Sequence, residues 1–161
     1  MSRRISIALI LALCVWATGD RARAQAAPGP GLEAVPTQGL TFGSLLPGVA
    51  ETVQTGDGAR RAEVVLRGEG WVDLSFMLPQ AMVSPSGARI PLRFGARDAA
   101  LLRNSSSGTV PLNPLETNRV KLNTGQGAMR LLLGGTALPA KDQPAGRYTA
   151  TIVIVAAPPG T

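Results

Sequence analysis

Glycine and proline interrupt the stretch from Leu40 to Ala157 so often that only short extended runs fit between them. A stable helix wants about three unbroken turns, and no window here carries an apolar stripe of that length. The segment RDAALLRN (97–104) has room for a turn or two of helix at most. What recurs instead is period two. In WVDLSFMLP, Val72, Leu74, Phe76 and Leu78 alternate with Trp71, Asp73, Ser75 and Met77, the pattern of a strand with one wet face. ARIPLRFGA repeats the device, with Ile90, Leu92 and Phe94 opposite Arg89, Pro91 and Arg93; Pro91 predicts an edge or bulged strand. LTFGSLL, ETVQT, AEVVLRG, a brief run near Val110, RVKLN and AMRLLLGG continue the series. The last two are joined in hairpin fashion through Thr124-Gly125-Gln126-Gly127, while Gly56-Asp57-Gly58 and Gly134-Gly135 read as turns or bulges. Short strands with this punctuation predict an all-β domain, a sandwich or a barrel.

The strongest strand signal is the last one, QPAGRYTATIVIVAA (143–157). Tyr148, Ala150, Ile152 and Ile154 take one face; Thr149, Thr151, Val153 and Val155 take the other. A strand this rich in β-branched residues and this poor in charge aggregates if an edge is left open. What pairs with it is the question the sequence poses.

Ahead of the domain, Ser2-Arg3-Arg4 forms a short positive region, and ISIALILALCVWATG (5–19) is an apolar run of signal-peptide length. It is shorter than the ~20 apolar residues of a spanning helix. Ala22-Arg23-Ala24 places small residues where an export peptidase reads. Residues 1–24 are therefore expected to be a signal peptide cleaved after Ala24, which would send the chain to the periplasm, the cell surface or the medium. Leu13 disfavours lipid attachment at Cys14, because the residue before a lipidated cysteine is small. Four of the 16 basic residues and one of the 10 acidic ones lie in this leader. The remainder keeps a small positive balance, too weak for a long-range field toward nucleic acid. Cys14 is the one cysteine, so residues 25–161 must fold without a disulfide although their expected destination is oxidising. Residues 25–38, QAAPGPGLEAVPTQ, read as a Pro/Gly-rich N-terminal arm, flexible or extended. Residues 39–161 read as a single β-sandwich domain.

The chain has no histidine. Together with the absence of cysteine after the leader, this excludes His-dependent triads, cysteine nucleophiles and most transition-metal sites. Glu63, Glu69 and Asp73 lie close in sequence, as a glycosidase pair would, but Glu63 and Glu69 flank Arg67 and ion pairing on a wet face is the plainer account. No calcium-loop spacing or phosphate cradle occurs. The expectation is a non-enzymatic protein with no metal and no cofactor. Asn104-Ser105-Ser106 has the form of a glycan acceptor and reads as loop. Arg89, Arg93 and Arg97 recur every fourth residue, which on a strand gives one basic face. That face is either simply solvated or attractive to acidic envelope polysaccharide. The aromatics Phe42, Trp71, Phe76, Phe94 and Tyr148 make neither a base-stacking series nor a sugar platform. The phenylalanines read as core and Trp71 as packed at a sandwich end.

Two segments together resemble a known family. GLTFGSLLPGVAETV (39–53) resembles the Leu-x-Phe-Gly opening of exported bacterial β-sandwich domains of unknown function. LLLGGTALPAKDQPAGRYTATIVIVAA (131–157) resembles the same family's ending, and is similar to the ending of spore coat U-like domains, which include archaic chaperone–usher pilins. The resemblance implies an immunoglobulin-like antiparallel sandwich that lacks a strand. An apolar groove beside the last strand would then receive the N-terminal extension of a neighbour. On this chain the groove would fall at Phe42, Tyr148, Ile152 and Ile154. The implied partners are like or related subunits, joined head to tail, and a periplasmic chaperone and usher. A donor extension alternates apolar residues without proline, whereas the arm offers Leu32, Ala34 and Val35 among Pro28, Pro30 and Pro36. Two readings stay open: a fimbrial-type structural or adhesion-related subunit, and a monomeric envelope or surface module that completes its own sheet with the arm or an internal strand and binds acidic polysaccharide.

Overall fold

The computed structural model describes residues 9–15, 31–103, 108–123 and 127–160. Every regular element in them is a strand: β1 (Leu9–Val15), β2 (Glu33–Gln38), β3 (Glu51–Val53), β4 (Ala62–Arg67), β5 (Glu69–Met77), β6 (Ala81–Val83), β7 (Arg89–Arg93), β8 (Ala99–Leu102), β9 (Thr109–Leu112), β10 (Asn118–Asn123), β11 (Met129–Leu133), β12 (Gly135–Ala137) and β13 (Ala150–Ala157). They form antiparallel sheets of order β1-β13-β5-β10, β2-β4-β11-β8-β9 and β3-β12-β7-β6. The protein is all-β and sandwich-like. Among the described residues no helix is long and apolar enough to cross a membrane.

Period two in the sequence becomes alternation in burial. Val64 and Leu66 of β4, Val72 and Leu74 of β5, Val120 and Leu122 of β10 and Leu131 and Leu133 of β11 all enter one core. Each such side chain contributes about 1.5–3 kcal/mol by leaving water. Among the residues whose burial is described, the core runs from Ala34 to Ala156.

The chain passes from sheet to sheet at glycines. Gly68 separates β4 from β5, and Gly134 separates β11 from β12. At Gly134 the backbones approach so closely that a Cβ would lie 2.2 Å from the carbonyl oxygen of Val53, and its N–H donates to the Asp98 carbonyl at 2.7 Å. Gly134-Gly135 is thus a strand-to-strand crossing with no room for a side chain.

Several expectations change. LTFGSLL is not a strand; residues 39–50 run irregularly, although Leu40 and Phe42 are buried. Gly43, at φ 67°, sits in the left-handed region that interrupts extended backbone. RDAALLRN supplies strand β8 rather than helix, because Ala99, Ala100 and Leu101 are buried beside β11, where a ladder satisfies their backbone. Strands β10 and β11 lie in different sheets, so their connection is a crossover and not a hairpin; Thr124, Gly125 and Gln126 lie outside the described residues, as do Asn104, Ser105 and Ser106. Strand β7 is interior, between β12 and β6. It tolerates Pro91 because that residue lies opposite the end of β12, where its carbonyl accepts from the Leu138 N–H at 2.9 Å. Within the segment read as an arm, Glu33–Gln38 is edge strand β2, paired with β4; residues 25–30 lie outside the described residues.

The carboxylates do form ion pairs, though not the ones expected. Arg67 reaches Glu33 at 3.1 Å, while Glu63 takes Arg61 at 3.1 Å and Arg130 at 3.6 Å. Asp73 lies opposite Arg119 on β10 and accepts from its Nε and Nη2 at 2.7 and 2.9 Å. The Arg119 hydrogen bonds hold the Asp73 carboxyl below the usual carboxylate range, and Arg60 does the same for Asp57. A carboxyl more acidic in the folded than in the unfolded chain stabilises the fold above its unfolded pKa, and that stability is lost as pH falls through the folded value. Urea midpoints are therefore expected to stay level from neutrality to about pH 5 and to fall below about pH 4. Asp73→Asn is expected to make that fall shallower.

Candidate strand-accepting edge

Strand β13 keeps the expected alternation. Tyr148, Ile152, Ile154 and Ala156 are buried and Thr151 is exposed. On one side it pairs with β5, Val153 facing Met77 and Ile154 facing Phe76. Just before it, Thr149 and Val83 exchange main-chain hydrogen bonds of 2.8 and 3.1 Å on that same side. In an antiparallel ladder both main-chain groups of a residue point to one side and those of the next residue to the other. The burial of Tyr148, Ile152, Ile154 and Ala156, with Ala150 packed against the same core, carries this parity along the strand. The N–H and C=O groups of Ala150, Ile152, Ile154 and Ala156 therefore point to the opposite edge.

That edge is covered by β1. Its register sets Leu9 opposite Ala156, Leu11 opposite Ile154, Leu13 opposite Ile152 and Val15 opposite Ala150. The covering strand thus lies within the apolar run of residues 5–19. The arm is not the partner: β2 lies in another sheet, where Thr37 Oγ1 donates to the Glu63 carbonyl at 3.2 Å and Gln38 Nε2 to the Arg61 carbonyl at 2.7 Å.

Apart from β1 itself, the other sheet edges are blunted in the ways that stop strands from pairing with strangers. Edge strand β2 carries Glu33 and Pro36, β9 carries Pro111, and β10 shows exposed Arg119 and Lys121. Strands β3 and β6 have three residues each. Strand β13 has eight residues with neither proline nor charge. Without β1 it would be the one unguarded edge among the described strands.

Just ahead of β13 lies a cavity of about 480 Å³, lined by Phe42, Leu45, Met82, Ile90, Arg147 and Tyr148 among others. Its wall is fixed by a local network. The Tyr148 hydroxyl donates to the Pro144 carbonyl at 2.6 Å and accepts from Gln143 Nε2 at 2.7 Å, and Gln143 Oε1 accepts from the Ala140 N–H at 3.2 Å. This explains the Gln-x-Ala-Gly-x-Tyr spacing, since the tyrosine closes the turn that launches β13. Tyr148→Phe leaves the two partners short of a bond and is expected to cost about 1–2 kcal/mol, measurable as a lowered denaturation midpoint with an unchanged slope.

Of the residues expected to form a groove, Phe42 and Tyr148 meet at the cavity, and Ile152 and Ile154 sit in the core beneath the β13 edge. The alternation of residues 148–155 points to the strand, whereas nothing in the composition of residues 9–15 marks them as its cover. Of the arginines, Arg89 and Arg93 are exposed on β7, whereas Arg97 stands beyond the end of that strand, in a turn where Asp98 accepts from the Gly95 N–H at 2.7 Å. The three do not share one strand. Trp71 is 55% exposed, on the outer face of β5 opposite Lys121, and not packed at an end. No group of three metal-ligating side chains occurs among the described residues. Comparison with protein-family models, with curated proteins and with solved structures gives no match.

Proposed function

We propose that this chain is an exported, non-enzymatic structural or adhesion-related subunit of fimbrial type, with an immunoglobulin-like sandwich whose β13 edge receives an extended segment from a partner. One observation carries the reading: the strand covering β13 lies wholly within residues 1–24, the segment read as a signal peptide. Cleavage after Ala24 would remove the cover and open the β13 edge. The main-chain groups of Ala150, Ile152, Ile154 and Ala156 then await a new ladder, and apolar side chains at alternate positions of the incoming segment supply specificity. The resemblance of residues 39–53 and 131–157 to pilin-like domains points the same way, with a periplasmic chaperone as an earlier occupant of the edge and an usher as the assembly platform.

The test is a binding titration of residues 25–161 with a lysine-flanked peptide carrying Leu9–Val15. Binding is expected, and N-methylation of alternate peptide residues on the ladder side should abolish it. Equal binding by the methylated peptide would show that main-chain pairing does not hold the join.

A second reading rests on exposed Arg89, Arg93 and Arg97, for which no ion pair occurs among the described residues, whereas Arg60, Arg61, Arg67, Arg119 and Arg130 all face carboxylates. Such cations suit an acidic envelope polysaccharide. Salt-sensitive retention on a polyanionic column should weaken when the three are reversed to glutamate; unchanged retention removes this reading.

A further inference from the structure

We infer that the segment ahead of this domain does not serve as a strand donor, so that the β13 edge takes its strand from another polypeptide. The inference rests on the strand-accepting reading above and adds the identity of the partner: a different exported polypeptide, not a second copy of this one.

A head-to-tail subunit needs both an acceptor edge and a detached donor segment. The register of β1 shows what the acceptor takes. Over seven positions the occupant is uncharged and proline-free, with Leu9, Leu11, Leu13 and Val15 at the places opposite Ala156, Ile154, Ile152 and Ala150. After the leader, the segment that could reach a neighbour is 25–38. Its first half, QAAPGPG, has proline at 28 and 30, each of which lacks the N–H that a ladder requires. Its second half is already in use: Glu33–Gln38 is laid against β4, with Glu33 paired to Arg67 at 3.1 Å and Gln38 donating to the Gly58 and Arg61 carbonyls at 3.1 and 2.7 Å. Ala34 is buried in the core. Withdrawing this strand to serve a neighbour would strip β4 of its own edge partner and leave Pro36 in the new ladder.

Among the described residues, every proline-free apolar stretch able to fill seven ladder positions is committed to a sheet of this body. The partner must therefore bring a strand of its own.

The experiment uses residues 25–161 and the lysine-flanked Leu9–Val15 peptide, with particle mass followed by sedimentation. The processed chain should remain monomeric at all concentrations and bind one peptide per chain, and a peptide copying 25–38 should not compete. A second chain, with a proline-free Leu/Val-alternating segment and a flexible linker placed ahead of Gln25, should form a ladder of oligomers that the free peptide disperses. If the unmodified chain forms that ladder, or the 25–38 peptide displaces the Leu9–Val15 peptide, the inference is overturned while the accepting edge stands. If neither chain binds the peptide nor associates, the accepting edge itself is refuted.

Discussion

Residues 25–161 are expected to melt about 10 °C higher when the lysine-flanked Leu9–Val15 peptide is supplied at about a hundred times its dissociation constant. Saturation to that degree stabilises a folded protein by about 2.7 kcal/mol, and for a domain of this size each kcal/mol moves the midpoint by about 4 °C. The gain has a structural source. The peptide takes the place of β1, closing the ladder along Ala150, Ile152, Ile154 and Ala156 and covering the apolar edge that is open in residues 25–161. A peptide with Leu11→Pro, altered at the place opposite Ile154, removes a ladder donor at mid-strand and should give no shift. Equal shifts from both peptides would point to nonspecific adhesion of apolar chains.

Gly134→Ala is expected to lower stability by about 3 kcal/mol, seen as a fall of about 10 °C in the melting midpoint. The added methyl would meet the Val53 carbonyl oxygen at 2.2 Å, and backbone cannot swing aside as a side chain can. Relief requires β3 to move from β12, which breaks the pairing of Val53 with Gly135, or Gly134 to give up its hydrogen bond to Asp98. Gly58→Ala is the control. A Cβ there meets nothing within 4 Å, so its effect should be near neutral. Comparable losses from both changes would mean that the crossing at Gly134 is not tightly packed.

The fold class was legible because alternation and burial express the same period. Val72, Leu74, Ile152 and Ile154 read as inward from the sequence and are inward in the fold. Local chemistry misled where tertiary pairing decided. RDAALLRN looks marginally helical on its own, yet the open flank of β11 converts Ala99–Leu102 into strand. LTFGSLL looks extended, yet Gly43 turns it while Leu40 and Phe42 anchor it in the core. The β10–β11 connection reads as a hairpin because sequence neighbours usually pair, whereas here they lie in separate sheets. At the site, strand β13 was visible and its cover was not. The apolar run of residues 5–19 has the composition expected of an export signal, and composition does not reveal that Leu9–Val15 also pairs with β13. The arm was ambiguous for a related reason. Proline forbids an interior strand but allows an edge, and Pro36 occupies an edge.

Residue-resolved amide exchange along β13 tests the central claim most directly. In processed chain without peptide, the amides of Ile152, Ile154 and Ala156 should exchange fast while those of Val153, Val155 and Ala157, laddered to Met77, Ser75 and Asp73, exchange slowly. Adding the Leu9–Val15 peptide should slow the first set and leave the second unchanged. Uniformly slow exchange of both sets in the peptide-free monomer would contradict the account, because it would mean that the edge is already closed from within.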